Sequence, residues 1–104
     1  MQEPIIINFA EIKSLDESFV GFMFGAKVES LLKAMFGGYS IPVTVKGTQN
    51  QISSFANTLN KEKDFLSTAK KYGLDNPVTY RNKFKLDSAI QNFERATGIE
   101  WPLR

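Results

Sequence analysis

Between Thr48 and Gly73 the apolar positions recur every three or four residues. Ile52, Phe55, Ala56, Leu59, Leu66, Ala69 and Tyr72 form one stripe, and Asn57, Lys61, Asp64, Lys70 and Lys71 fall opposite it. That period predicts an amphipathic helix. Thr48-Gln-Asn-Gln51 fits a capping box at its start. Gly73 is the stop, with Leu74 expected to fold back on Ala69 in a Schellman cap. Lys70 and Lys71 sit in the last turn, where the helix dipole favours cations.

The rest of the chain reads less evenly. Ile5-Ile6-Ile7 with Phe9 predicts a short strand bounded by Pro4. Ser14-Leu-Asp-Glu17 fits a second capping box, and Leu15, Phe19, Phe22, Met23 and Ala26 follow at helical spacing. Val28, Leu31, Leu32, Met35 and Phe36 continue the pattern as far as Gly37-Gly38, which permit a left-handed C-cap. Gly21 and Gly25 interrupt this helix, each at about 1 kcal/mol relative to Ala. The competing reading makes 19–24 a strand or loop and starts the helix near Ala26. Ile41, Val43 and Val45 alternate with Pro42, Thr44 and Lys46, a half-buried strand that lies at a sheet edge or begins after Pro42. Leu74–Pro77 is a turn, and 78–81 reads as extended or turn. Leu86, Ile90, Phe93 and Thr97 form a last helical stripe with Phe84 and Ala89 beside it, closed by Gly98 with Ile99 against Phe93. Trp101-Pro-Leu103 is a hook expected to pack back on the core.

These elements predict a single globular α+β domain over 1–104, helix-dominated, with two or three helices on a small sheet of short strands. Two strands alone are marginally stable, so helices must cover them or a second copy must pair with them.

Composition narrows the chemistry. The 104 residues include no Cys and no His. That removes disulfides, thiolate and imidazole catalysis and the usual zinc and haem ligands, so no cofactor and no metal is expected. There is no signal-peptide pattern, and Lys27 ends the longest apolar run, which starts at Phe19. That is far short of the roughly 20 residues a membrane span needs, so the expectation is a cytoplasmic protein without membrane contact. Charge is uneven. Residues 46–86 hold eight Lys/Arg against three acids, whereas 1–45 hold three Lys against five acids.

Four features are candidates for function. Asp16-Glu17, Glu62, Asp64 and Asp75 supply carboxylates, but the first pair suits a helix start, Glu62 and Asp64 sit on a mixed face, and Asp75 belongs to a turn. Lys46-Gly47-Thr48 lies at a strand-to-helix junction, where free amides favour phosphate; an ordinary strand–turn–cap explains it equally. Lys61, Lys63, Lys70, Lys71, Tyr80, Arg81, Lys83 and Lys85 interleave cations with aromatics, as in single-stranded nucleic-acid binding. The bland alternative makes Tyr80 and Phe84 core anchors with solvated cations between them. Finally, Phe19, Gly21, Phe22, Gly25, Met35 and Phe36 crowd large side chains around two glycines, either as plain core or as a self-association surface.

Three stretches carry a resemblance: Lys46-Gly47-Thr48, the YGLDNP turn at Tyr72–Pro77 and the FERATGIEWP segment at Phe93–Pro102. With them, residues 39–104 resemble small proteins of T-even-like tailed phages, especially those of marine cyanobacteria. The resemblance implies a phage or marine origin and a setting in the host cytoplasm or the virion. It brings no functional residue with it. The leading expectation from the residues is a non-enzymatic accessory protein that binds another protein, with homodimerisation through 19–36. A nucleic-acid-binding regulator using 61–85 is the alternative, and an enzyme using carboxylates alone is the third.

Overall fold

A computed structural model describes residues 4–103, apart from the side chains at 17 and 18. The order is β1 (Ile5–Asn8), α1 (Phe9–Lys13), α2 (Glu17–Gly37), β2 (Val43–Lys46), α3 (Gln49–Tyr72) and α4 (Pro77–Thr97). β1 and β2 pair in parallel, Ile5 opposite Val43 and Ile7 opposite Val45. Parallel neighbours need a crossover, and α1 with α2 supplies it. The architecture is the helix-dominated α+β class that the pattern predicts.

β1 ends one residue early because Asn8 is an N-cap. Its side-chain oxygen accepts from the Ala10 and Glu11 amides at 3.1 and 3.3 Å. Phe9 therefore opens α1 and turns inward instead of extending the strand. Pro42 lacks an N–H, and it lies just before β2, where its carbonyl accepts from Ile5 N–H at 2.9 Å. Ile41 falls outside the strand. Ile5, Ile7 and Val45 turn toward the core, and Ile6 and Thr44 turn away. In a parallel ladder the Ile6 backbone groups point away from β2, and there Lys27 of α2 donates to the Ile6 carbonyl. A lysine thus guards that strand edge.

The second capping box is a correction. Ser14 closes α1: its N–H reaches the Ala10 and Glu11 carbonyls, and its Oγ donates to Glu11 O at 2.7 Å. Asp16 is the N-cap of α2 and makes no side-chain cap bond, while the Glu17 side chain lies outside the described residues. α2 then runs unbroken through 19–24, so the strand reading of that segment fails. It stops at Gly38, whose φ of 71° is left-handed and whose N–H bonds to Ala34 O.

α3 carries the predicted capping box, with Gln51 N–H on Thr48 Oγ1 at 3.2 Å and Thr48 N–H on Gln51 Oε1 at 2.9 Å. Its far end differs from expectation. Gly73 has φ 87° and ψ 165°, not the Schellman geometry, and Leu74 is exposed. The Gly73 carbonyl instead accepts from Thr79 Oγ1 at 2.7 Å. Residues 78–81 are helical, not extended. Asn76 caps the Val78 amide at 2.9 Å and Pro77 takes the first turn, where its missing N–H is harmless.

α3 and α4 form an antiparallel hairpin. Thr58 Oγ1 donates to Ala89 O at 3.1 Å, and ten residues on, Thr68 Oγ1 accepts from Asn82 Nδ2 at 3.3 Å. Five rings, one from each helix and one from the final segment, make the centre of the core. Phe24 stacks on Phe93 at 5.8 Å, Phe9 meets both edge-on, and Phe55 fills beside them. Trp101 lies edge-on to Phe93 at 5.2 Å, so the hook packs inward as expected. Gly98 at φ 71° makes the reversal that brings it there.

Candidate functional site

Two surfaces and one buried carboxylate stand out. The first surface is the outer side of α2. Phe24, Val28, Leu31 and Met35 face the core, one or two turns apart. Helical geometry therefore turns Phe19, Phe22, Ala26, Glu29, Lys33 and Phe36 the other way. Phe22 is 77% exposed and Phe19 59%. Together with the inward face they leave α2 apolar on nearly every side between 19 and 26, a composition expected of a helix with partners all round, whereas Glu29 and Lys33 break that side further along.

Not every residue predicted for self-association lies there. Met35 packs against the core. Gly25 serves the chain's own final segment, since a Cβ there would sit 3.4 Å from Pro102 Cβ. Gly21 has nothing within 4 Å of that position. Phe19, Phe22 and Phe36 are exposed as the surface reading requires.

Beside the C-terminal half of α2 runs a largely apolar groove of about 600 Å³, lined by Leu32, Phe36, Phe65, Leu66 and Leu103 together with Glu29 and Lys33. Glu62 lies at its floor. It is only 3% exposed, and its Oε1 accepts from the Trp101 indole N–H at 3.0 Å. Burial raises its pKa; the indole hydrogen bond and Lys83 pull the other way, and Asp87 adds a smaller upward push. The sequence reading put Glu62 on a mixed polar face. Its spacing gave the opposite signal: it lies three residues after Leu59, seven after Phe55 and four before Leu66, on the apolar stripe itself.

The second surface is the outer side of α4. Tyr80 and Phe84 are exposed, Phe84 at 79%, so neither is a core anchor. Arg81 and Lys85 lie beside them on consecutive turns. The remaining predicted cations scatter. Lys61 and Lys63, two positions apart, project about 200° from one another round α3. Lys83 pairs with Asp87 at 2.9 Å and lies 5.8 Å from the Phe65 ring centre. Lys71 lies over Tyr72 at 5.2 Å, near the far end of α3. Only Tyr80, Arg81, Phe84 and Lys85 share a face, with Lys61 level with Lys85 across the hairpin. Further along that side, Asn57, Asn92 and Arg95 line a polar cleft of about 450 Å³.

The other candidates are occupied or dispersed. At the start of α3, Thr48 Oγ1 already holds the Gln51 amide, and the Gln51 side chain and the Phe9 ring crowd Gly47 at 2.7 and 2.8 Å from a Cβ position. No phosphate cradle is open there. Glu62 is buried and Asp64 exposed, and among the described residues no three acids gather where a metal would sit. No helix among the described residues is long and apolar enough to cross a membrane. No family model, curated protein or solved structure matches the chain.

Proposed function

We propose that this chain is a non-enzymatic accessory protein that works by binding protein through the outer face of α2, with itself as the first partner. The observation that carries the reading is the exposure of Phe19 and Phe22 on a helix whose opposite side is already committed to the core. Large apolar patches on a surface mark interaction sites. The absence of Cys and His, and the dispersal of the carboxylates, weigh against catalysis as its role. The resemblance of 39–104 to T-even-like phage proteins supports a setting in a host cytoplasm or a virion. The test is solution mass across a concentration series, with binding of a hydrophobic dye on the same samples. Concentration-dependent assembly that Phe22→Asp abolishes supports the reading. A strict monomer that binds no dye refutes it.

The exposure of Tyr80 and Phe84 favours a second reading, single-stranded nucleic acid along α4. Stacking on exposed rings plus phosphate contacts from Arg81 and Lys85 is the usual mode. It requires oligonucleotide binding that weakens steeply with salt and that Arg81→Ala with Lys85→Ala reduces. Binding unchanged in that double variant removes these residues from the proposal.

A further inference from the structure

We infer that a second copy of this chain covers α2, packed antiparallel about a twofold axis so that Phe19 and Phe22 of each copy seat over the groove beside Phe36 of the other. This rests on reading α2 as a self-binding face and adds the orientation and the register of the pair.

The spacing comes first. Phe19, Phe22, Ala26, Glu29, Lys33 and Phe36 alternate steps of three and four, which is the seam of a left-handed helix pair. Centre an antiparallel pair between Ala26 and Glu29, and every seam position meets another. Phe19 falls opposite Phe36, Phe22 opposite Lys33 and Ala26 opposite Glu29. The ring of Phe22 then faces an ammonium group, an attractive contact. A parallel pair would instead set Glu29 on Glu29 and Lys33 on Lys33, which repel.

Shape agrees with the spacing. One end of α2 carries a protruding pair of rings, and the other borders a groove of about 600 Å³ walled mainly by apolar side chains, with Glu29 and Lys33 also lining it. Knob and groove share one helix face, about 20–25 Å apart at 1.5 Å per residue. A twofold axis between them fills both grooves at once, as an isologous contact must.

The area is of the right order. At roughly 150–250 Å² per aromatic side chain, the exposed parts of Phe19, Phe22 and Phe36 offer about 300–450 Å² per copy. Doubled over the pair this is about 600–900 Å², and groove walls such as Leu66 bring its upper end to the ~1,000 Å² that separates stable interfaces from incidental ones.

The chain has no Cys, so single thiols report the register cleanly. Ala26 and Glu29 are exposed, and replacing either with Cys leaves the core untouched. The inference expects mixed Ala26→Cys and Glu29→Cys proteins to be linked by a short bismaleimide, and Lys33→Cys alone to stay unlinked. It also expects Phe22→Asp to weaken dimerisation roughly tenfold or more with unchanged circular dichroism, and the equally exposed Phe84→Asp on α4 to leave it intact. Efficient linking of Lys33→Cys overturns the antiparallel register while self-association stands. A monomeric protein that binds hydrophobic dye overturns the second copy but leaves α2 open to another protein. A monomer that binds no dye removes both.

Discussion

Replacing Trp101 with Phe tests the link between the final segment and α3. The substitution keeps a ring among Phe24, Phe55 and Phe93 but removes the indole N–H that donates to Glu62 Oε1 at 3.0 Å. A hydrogen bond to a charged group is worth about 1.5–3 kcal/mol, and the smaller ring leaves a cavity worth about 1 kcal/mol more. The expected loss at neutral pH is therefore about 2.5–4 kcal/mol, a large share of the roughly 5–15 kcal/mol that holds a domain together. Burial raises the Glu62 pKa, opposed by the indole bond and by Lys83. With the folded value above the unfolded one, the native state holds an extra proton between the two, so stability falls as pH rises through that window. Removing the indole raises the folded value further. The fall then becomes larger and extends to higher pH. Urea denaturation of both proteins from about pH 5 to about pH 8 measures this. Adding Glu62→Gln to Trp101→Phe should flatten the dependence. A loss under about 1 kcal/mol at neutral pH, or one that is equal at every pH, would refute the buried-pair account.

Three further substitutions test local structure. Thr48→Ala removes the hydroxyl that holds the Gln51 amide and should cost about 0.5–2 kcal/mol by urea denaturation. Thr58→Val keeps shape but deletes the hydroxyl bonds to Ser54 O and Ala89 O; a loss of about 0.5–1.5 kcal/mol is expected, and no loss would show that the bond across the hairpin contributes nothing. Gly98→Ala places a side chain at φ 71°, against Lys13 at 3.0 Å, and should lower the melting temperature by about 4–8 °C for each of the 1–2 kcal/mol of left-handed strain.

α3 was legible because its stripe, cap and stop agree with one another. α2 was half legible. Between 19 and 26 its outer residues are as apolar as its inner ones, so periodicity could not separate the two faces there or exclude a strand at 19–24. Asn76-Pro77 carries the signature of a helix start, an N-cap followed by proline, but the same pair also makes turns, and the turn reading lost the first turn of α4. The boundary of β1 turned on Asn8, whose cap role is visible only once α1 exists. At the surface, Tyr80 and Phe84 looked like core because aromatic residues usually are; the α4 core runs through Thr79, Leu86, Ala89, Ile90 and Phe93 instead. Glu62 was missed because a carboxylate on an apolar stripe is read first as a polar residue and only then by its position.

The parallel pairing of β1 with β2 has a temporal consequence. Ile5 reaches Val43 only after the whole of α1 and α2 has been threaded between them. α3 and α4, by contrast, are joined by the short turn at 73–76 and make the most extensive contact between any two elements. Closing a short loop is the cheaper first step for an unfolded chain. The hairpin is thus the natural nucleus, with the strands as the last parts to lock. In pulse-labelled refolding, amides in the middle of α3 and α4 should gain protection before those of Ile5 and Ile7. In a cell the order of synthesis is the reverse: the N-terminal third is made first and must keep Phe9 and Phe24 uncovered until the Phe55, Phe93 and Trp101 surface has been made.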